Sequence, residues 1–172
     1  MKKKMKNKNL KLMCVSGVFM ALVFVVTAYL HIPTNNGYIH VGDGLIYLAA
    51  CILPLPYAIA VGAGGALLAD CLTGYIVWAP ASVIIKTVTV LFFSSKGKKM
   101  MSARNYFALI PAAIICAGGY YLYEALLYKN FVSPLAGIPL SLIQSLVSSV
   151  LFVAIGLAVD KMNYKSKIVG GL

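Results

Sequence analysis

The sequence predicts an all-α integral membrane protein: six transmembrane helices in a single domain over residues 1–172, with both termini cytoplasmic. Three observations predict it. Of 172 residues, 61% are hydrophobic and 11% charged, with a mean hydropathy of +0.89, which leaves too little polar surface to cover a soluble globule. The apolar residues fall into six runs, at about 10–30, 40–53, 56–71, 79–94, 105–127 and 135–159. The basic residues gather between those runs. Lys2, Lys3, Lys4, Lys6, Lys8 and Lys11 precede the first, Lys96, Lys98, Lys99 and Arg104 fill one connection, and Lys161, Lys165 and Lys167 follow the last. That is the positive-inside pattern, so the net charge of +11 reports topology and not a nucleic-acid-binding face.

The first run holds Leu12 to Leu30 without a charge, long enough to cross and too long for a signal peptide. Gly17 and Ala21 form a small-xxx-small pair on it, suited either to packing within the bundle or to docking a partner membrane protein. The loop at 31–42 carries Asn36-Gly37, enough for a turn. Asn35, Asn36, Tyr38 and His40 exceed what a turn needs and suit a lid over a pocket. Pro54-Leu55-Pro56 divides the second run from the third. Fourteen helical residues reach only about 21 Å against a hydrocarbon core of about 30 Å, so these helices must be short, tilted or extended into 37–41. Asp43 fits either an N-cap or a pocket group. Gly62 with Ala66 and Gly65 with Ala69 are small-residue pairs for internal packing.

Asp70 ends the third run, and Tyr75 and Trp78 lie in the connection after it, as interfacial anchors or as rings for stacking on a planar heterocycle. Lys86 sits about 9 Å beyond Pro80, where a charge costs about 3 kcal/mol unless paired or hydrated. It either bridges to Asp70 or points at a ligand. On the fifth run Tyr120, Tyr121, Tyr123 and Glu124 crowd the outer end; either Tyr120 or Tyr121 can share the glutamate's face, and Tyr121 with Glu124 is the pair assigned to the pocket. On the sixth, Ser141, Gln144, Ser145 and Ser148 form a polar stripe that either joins helices or lines a cavity.

Lys-rich segments at 2–11 and 96–104 on one side require an even number of crossings between them, which four runs satisfy; two more return the C-terminus to that side. External loops then fall at about 31–42, 72–79 and 128–134. Cys14, Cys51, Cys71 and Cys116 are dispersed through apolar stretches as packing residues, with neither a disulfide framework nor a metal-ligand spacing. No nucleotide-binding glycine motif and no intramembrane catalytic set is present, so the expectation is a protein that is no enzyme and has no cofactor or metal.

Three elements, Gly37-Tyr38-Ile39-x-x-Gly42-Asp43, Ala69-Asp70-x-x-x-Gly74-Tyr75 and Ala79-Pro80-x-x-x-Ile84-Ile85-Lys86, occur in order over about a third of the chain. With six runs and cytoplasmic ends, they resemble the substrate-binding S components of energy-coupling factor (ECF) transporters, in the branch related to the riboflavin and hydroxymethylpyrimidine carriers. The resemblance implies a multi-pass protein of the bacterial plasma membrane that captures a vitamin or related micronutrient from outside. Its partners would be a transmembrane coupling subunit and two ATPase subunits. The loop after the first helix would act as a lid, and Gly17 and Ala21 would stand where the family's small-residue motif docks the coupling subunit, with Gly replacing the first Ala.

Asn36, Tyr38, His40, Asp43, Asp70, Tyr75, Trp78, Lys86, Tyr121, Glu124 and Gln144 are the expected substrate-binding residues. Their chemistry suits a flat polar heterocycle, of pyrimidine, pyridine, flavin or deazapurine type. A solitary facilitator, or an assembly subunit without a ligand, is the alternative.

Overall fold

The computed structural model describes residues 2–34, 37–163 and 165. Asn36 lies outside these, as does Lys167. The described chain is mostly helical: α1 (Lys2–Tyr29), α2 (Gly42–Ile52), α3 (Leu55–Leu72), α4 (Ala79–Val90), α5 (Ala103–Phe107), α6 (Leu109–Leu127) and α7 (Gly137–Lys161). Short 3₁₀ turns at Ile76–Trp78 and Ser133–Ala136 lead into α4 and α7.

One expectation is corrected. The 31–42 segment is not simply a loop in an all-α fold: His31–Thr34 (β1) and Gly37–His40 (β2) pair antiparallel, with His31 opposite His40 and Pro33 opposite Tyr38. Strand pairing satisfies backbone groups that a bare loop between helices would leave to water, and it places Tyr38 and His40, two apart, on one face. Six crossings were expected, the second and third of them short, tilted or extended, and four stretches are long and apolar enough to cross a membrane: Asn9–Tyr29, Leu55–Leu72, Ala103–Leu127 and Ser133–Lys161. Gly42–Ile52 and Ile76–Val90 are shorter. At 1.5 Å per residue α2 is only about 17 Å long. Ten of its 11 residues are buried, so protein, not lipid, surrounds it and bilayer thickness does not set its length.

The prolines act where sequence placed them. Pro54 caps α3 and Pro56 lies in its first turn, while Pro80 opens α4, positions at which a missing N–H costs nothing. The helices run between two ends of the bundle. One end holds the hairpin, the end of α3, and the starts of α4 and α7. At the other, Asp160 accepts hydrogen bonds from the backbone N–H groups of Met100 (2.7 Å) and Met101 (2.8 Å), and Asn105 ties Ser94 to Met100. The basic connection after α4 is thereby fastened to the end of α7, and the Lys-rich start of α1 lies at that same end.

Small residues let the helices approach. A Cβ on Gly65 would meet Val23 of α1 at 2.6 Å, and one on Gly44 would meet the Ser148 carbonyl oxygen of α7 at 2.7 Å. Gly62, Ala66 and Ala69 are buried as internal packing residues. Gly17 and Ala21 differ: both are exposed, and nothing lies within 4 Å of where a Gly17 Cβ would stand. Between the hairpin and the basic end sits the aromatic core. Tyr47 stacks on Phe93 (4.7 Å, 15°) and Phe152 meets both edge-on. The outer surface carries Val18, Leu22, Ile110, Ile114, Leu146 and Val150, an apolar exterior that suits lipid.

Candidate functional site

A buried polar cluster lies beneath the hairpin. Gly42 starts α2 so closely against α1 that a Cβ there would stand 2.1 Å from Thr27 Oγ1. This packing sets Asp43, the next residue, deep in the bundle. Lys86 Nζ lies 2.8 Å from Asp43 Oδ1 and 3.0 Å from Oδ2, with the side chains 2% exposed. Gln144 Nε2 donates to Asp43 Oδ2 (3.0 Å), and Gln144 Oε1 accepts the backbone N–H of His40 (3.2 Å). Cys116 Sγ lies against the same group, 3.7 Å from Gln144 Nε2 and 3.9 Å from Lys86 Nζ. The cluster therefore joins α2, α4, α6, α7 and the hairpin.

This arrangement corrects two expectations. The partner of Lys86 is Asp43, not Asp70. The N-cap position of α2 is Val41, with no side-chain cap, and the Asp43 carboxylate is spent on Lys86 and Gln144. Both hydrogen bonds, from Lys86 and Gln144, fall on Oδ2, while Oδ1 is held by the charge of the ammonium group alone; removing one partner of so enclosed a pair strands the other's charge.

Above the cluster is a cavity of about 540 Å³, enclosed by the hairpin, the end of α3, the starts of α4 and α7, and the outer half of α6. Its lining includes Thr34, Tyr38, Ile39, His40, Asp70, Trp78, Ser82, Tyr120, Glu124, Ser133, Leu140, Ser141 and Gln144. Two carboxylates in this wall are each held by an aromatic donor: Tyr38 OH donates to Asp70 Oδ1 (2.5 Å), and Trp78 Nε1 donates to Glu124 Oε1 (3.3 Å). Burial, then the charge of Asp70, push the Tyr38 hydroxyl well above its ordinary range, so it remains a donor. Ser82 Oγ pairs with Tyr120 OH (2.8 Å), and Lys86 Nζ lies 5.3 Å from the Tyr120 ring centre.

Six of the residues expected at the pocket line this cavity: Tyr38, His40, Asp70, Trp78, Glu124 and Gln144. Asp43 and Lys86 lie beneath it. Tyr75 stands behind Tyr38, with ring centres 4.5 Å apart, and contacts Trp78 edge-on, bracing two lining rings. Tyr121 turns away and donates to the Phe131 carbonyl (3.1 Å), so Tyr120 is the tyrosine of this helix that reaches the cavity.

Tyr120 and Ser141 were named from sequence but not assigned to the pocket, and Ser82 was not named, yet each had a signal there. Tyr120 is four residues before Glu124, Ser82 four before Lys86, and Ser141 three before Gln144, all on shared helix faces. Leu140, four before Gln144, shares that face too, whereas Thr34, Ile39 and Ser133 had no signal, since hairpin pairing and a 3₁₀ turn bring them in.

His40 Nδ1 accepts the Gly42 backbone N–H (3.1 Å), which leaves the ring proton on Nε2. Burial dominates the imidazole and lowers its pKa from 6.5 to about 4. The unfolded chain then binds the proton more readily, so stability is complete above about pH 6.5 and falls as pH drops toward 4. The expected loss is about 3 kcal/mol, measurable as a fall in thermal midpoint of detergent-solubilised protein over that window, and His40→Gln is expected to flatten the profile.

The family model described as "ECF-type riboflavin transporter, S component" matches residues 7–161. No curated protein matches the chain. The matched span runs from the second turn of α1 to the last residue of α7, and so takes in the whole cavity wall and the cluster beneath it.

Proposed function

The chain belongs to the ECF-type riboflavin transporter S component family, and from that premise we propose that it is the substrate-specific binding subunit of an ECF-type importer, capturing a vitamin or related heterocyclic micronutrient from outside the cell. Membership makes it a membrane-embedded transport component; the particular solute and the coupling subunits are the proposal. The observation that carries it is the 540 Å³ cavity, bordered by the hairpin at the end of the bundle opposite the basic residues. With the basic end cytoplasmic, that cavity faces outward. In this reading the chain crosses six times, with α2 and α4 as short crossings shielded by their neighbours, and both termini lie inside.

Tyr38, His40, Asp70, Trp78, Tyr120, Glu124 and Ser141 are the proposed contacts, with rings to stack on a planar ligand and oxygens to accept its N–H groups. Lys86, Asp43 and Gln144 position the floor and the hairpin. Uptake would couple to a transmembrane scaffold subunit and two ATPases. The bare Gly17–Ala21 face of α1 is the proposed docking surface, because the internal small-residue pairs are already filled and this one is not.

Mass spectrometry of small molecules that copurify in detergent, followed by calorimetric titration of riboflavin and of pyrimidine, pyridine and deazapurine compounds, tests the reading. A heterocycle bound at a one-to-one ratio is expected; a protein that carries no ligand and answers to none of them would count against solute capture. Ala21→Trp separates capture from transport. Binding is expected to be unchanged and uptake by cells reduced at least about tenfold, while normal uptake would remove the docking assignment.

A further inference from the structure

We infer that the cavity selects neutral or cationic ligands rich in N–H donors and excludes the phosphorylated or carboxylated forms of the same scaffold. The inference rests on the solute-binding reading above and names the charge class of what is bound. Its basis is the sign of the wall. The lining has two carboxylates, Asp70 and Glu124, and neither a lysine nor an arginine. His40, the lining imidazole, is held neutral because its Nδ1 accepts the Gly42 N–H. The nearest ammonium group beneath the floor, Lys86, is already neutralised by Asp43 at 2.8 Å and does not line the cavity.

A second observation points the same way. Asp70 is 3% exposed, and while Oδ1 takes the Tyr38 hydroxyl, Oδ2 makes no hydrogen bond among the described residues. The Ser82 hydroxyl, which pairs with Tyr120, also stands against this carboxylate. A buried carboxylate oxygen without a donor is costly, and an N–H group of a bound ligand would satisfy it. Tyr38, Trp78 and Tyr120 present ring surfaces in the same wall, which attract a cationic or electron-poor ring. An anionic ligand would meet two like charges and a desolvated wall with no counter-charge to offset them.

The test uses the full chain in detergent and matched pairs that differ in charge: riboflavin against riboflavin 5′-phosphate, pyridoxamine against its 5′-phosphate, and nicotinamide against nicotinate. For whichever scaffold binds, the neutral or cationic member is expected to bind about 30-fold tighter or more, and Asp70→Asn is expected to shrink that ratio. A phosphate or carboxylate form bound within about threefold of its partner overturns the charge assignment alone and leaves solute capture standing. Silence from both members of every pair, with no copurified compound, overturns the assignment together with the reading beneath it. A copurified anionic compound overturns it as well, whereas a neutral or cationic one supports it. Should Asp70→Asn fail to fold, the pair ratios in the unaltered protein decide the matter.

Discussion

Lys86→Met is expected to lower stability by about 3–5 kcal/mol, read as the shift of the unfolding midpoint in detergent. The effect comes from Asp43, which would keep its charge in a site that is 1% exposed and would lose the donor 2.8 Å away. Gln144 alone cannot compensate, because its amide already bridges Asp43 and the His40 backbone. The double variant Lys86→Met/Asp43→Asn removes both charges and keeps a group that Gln144 can bond, so it is expected to recover at least half of the loss. A single variant that costs less than about 1 kcal/mol would show that the pair is hydrated or exchangeable. The same cycle separates position from contact, since Lys86 does not line the cavity and its removal acts on affinity only by way of the floor and hairpin.

Ser141→Trp is expected to weaken ligand binding by at least about 100-fold while leaving the thermal midpoint nearly unchanged. Ser141 lines the cavity and is half-buried, and an indole there would grow into the space a ligand needs. Its carbonyl oxygen continues to accept the Ser145 hydroxyl (2.9 Å), so the local helix is not otherwise disturbed. Calorimetric titration with the copurified compound and a melting curve on the same sample give the two numbers. Unchanged affinity would move the binding site away from this cavity; a collapsed midpoint would show that the space is smaller than its outline and filled by packing.

The architecture was legible because two strong signals, apolar runs and basic flanks, act on long segments and do not depend on tertiary contacts. The prolines at 54, 56 and 80 marked helix starts correctly for the same local reason. What failed depended on depth. The choice of Asp70 as the partner of Lys86 assumed that Asp43 stayed at the surface end of its helix, whereas Gly42 packs against Thr27 and the hairpin folds over, which buries the start of α2. Tyr121 and Tyr120 are adjacent, and helical spacing alone allowed both to accompany Glu124; the connection after α6 decides between them, since its Phe131 carbonyl takes the Tyr121 hydroxyl while Tyr120 lines the cavity. The hairpin itself was hidden because eight paired residues interrupted at 35–36 lack the alternating pattern of a half-buried strand.

The enclosure of α2 bears on how the protein meets different membranes. Helices that touch acyl chains must tilt or bend when the bilayer thickens or thins, a response called hydrophobic mismatch. α2, with ten of its residues buried, has almost no lipid to follow. It carries Asp43 beneath the cavity, so the geometry of the cavity floor is insulated from membrane thickness. The long outer helices absorb the mismatch instead, and α1, which carries the open small-residue face, is among those free to tilt.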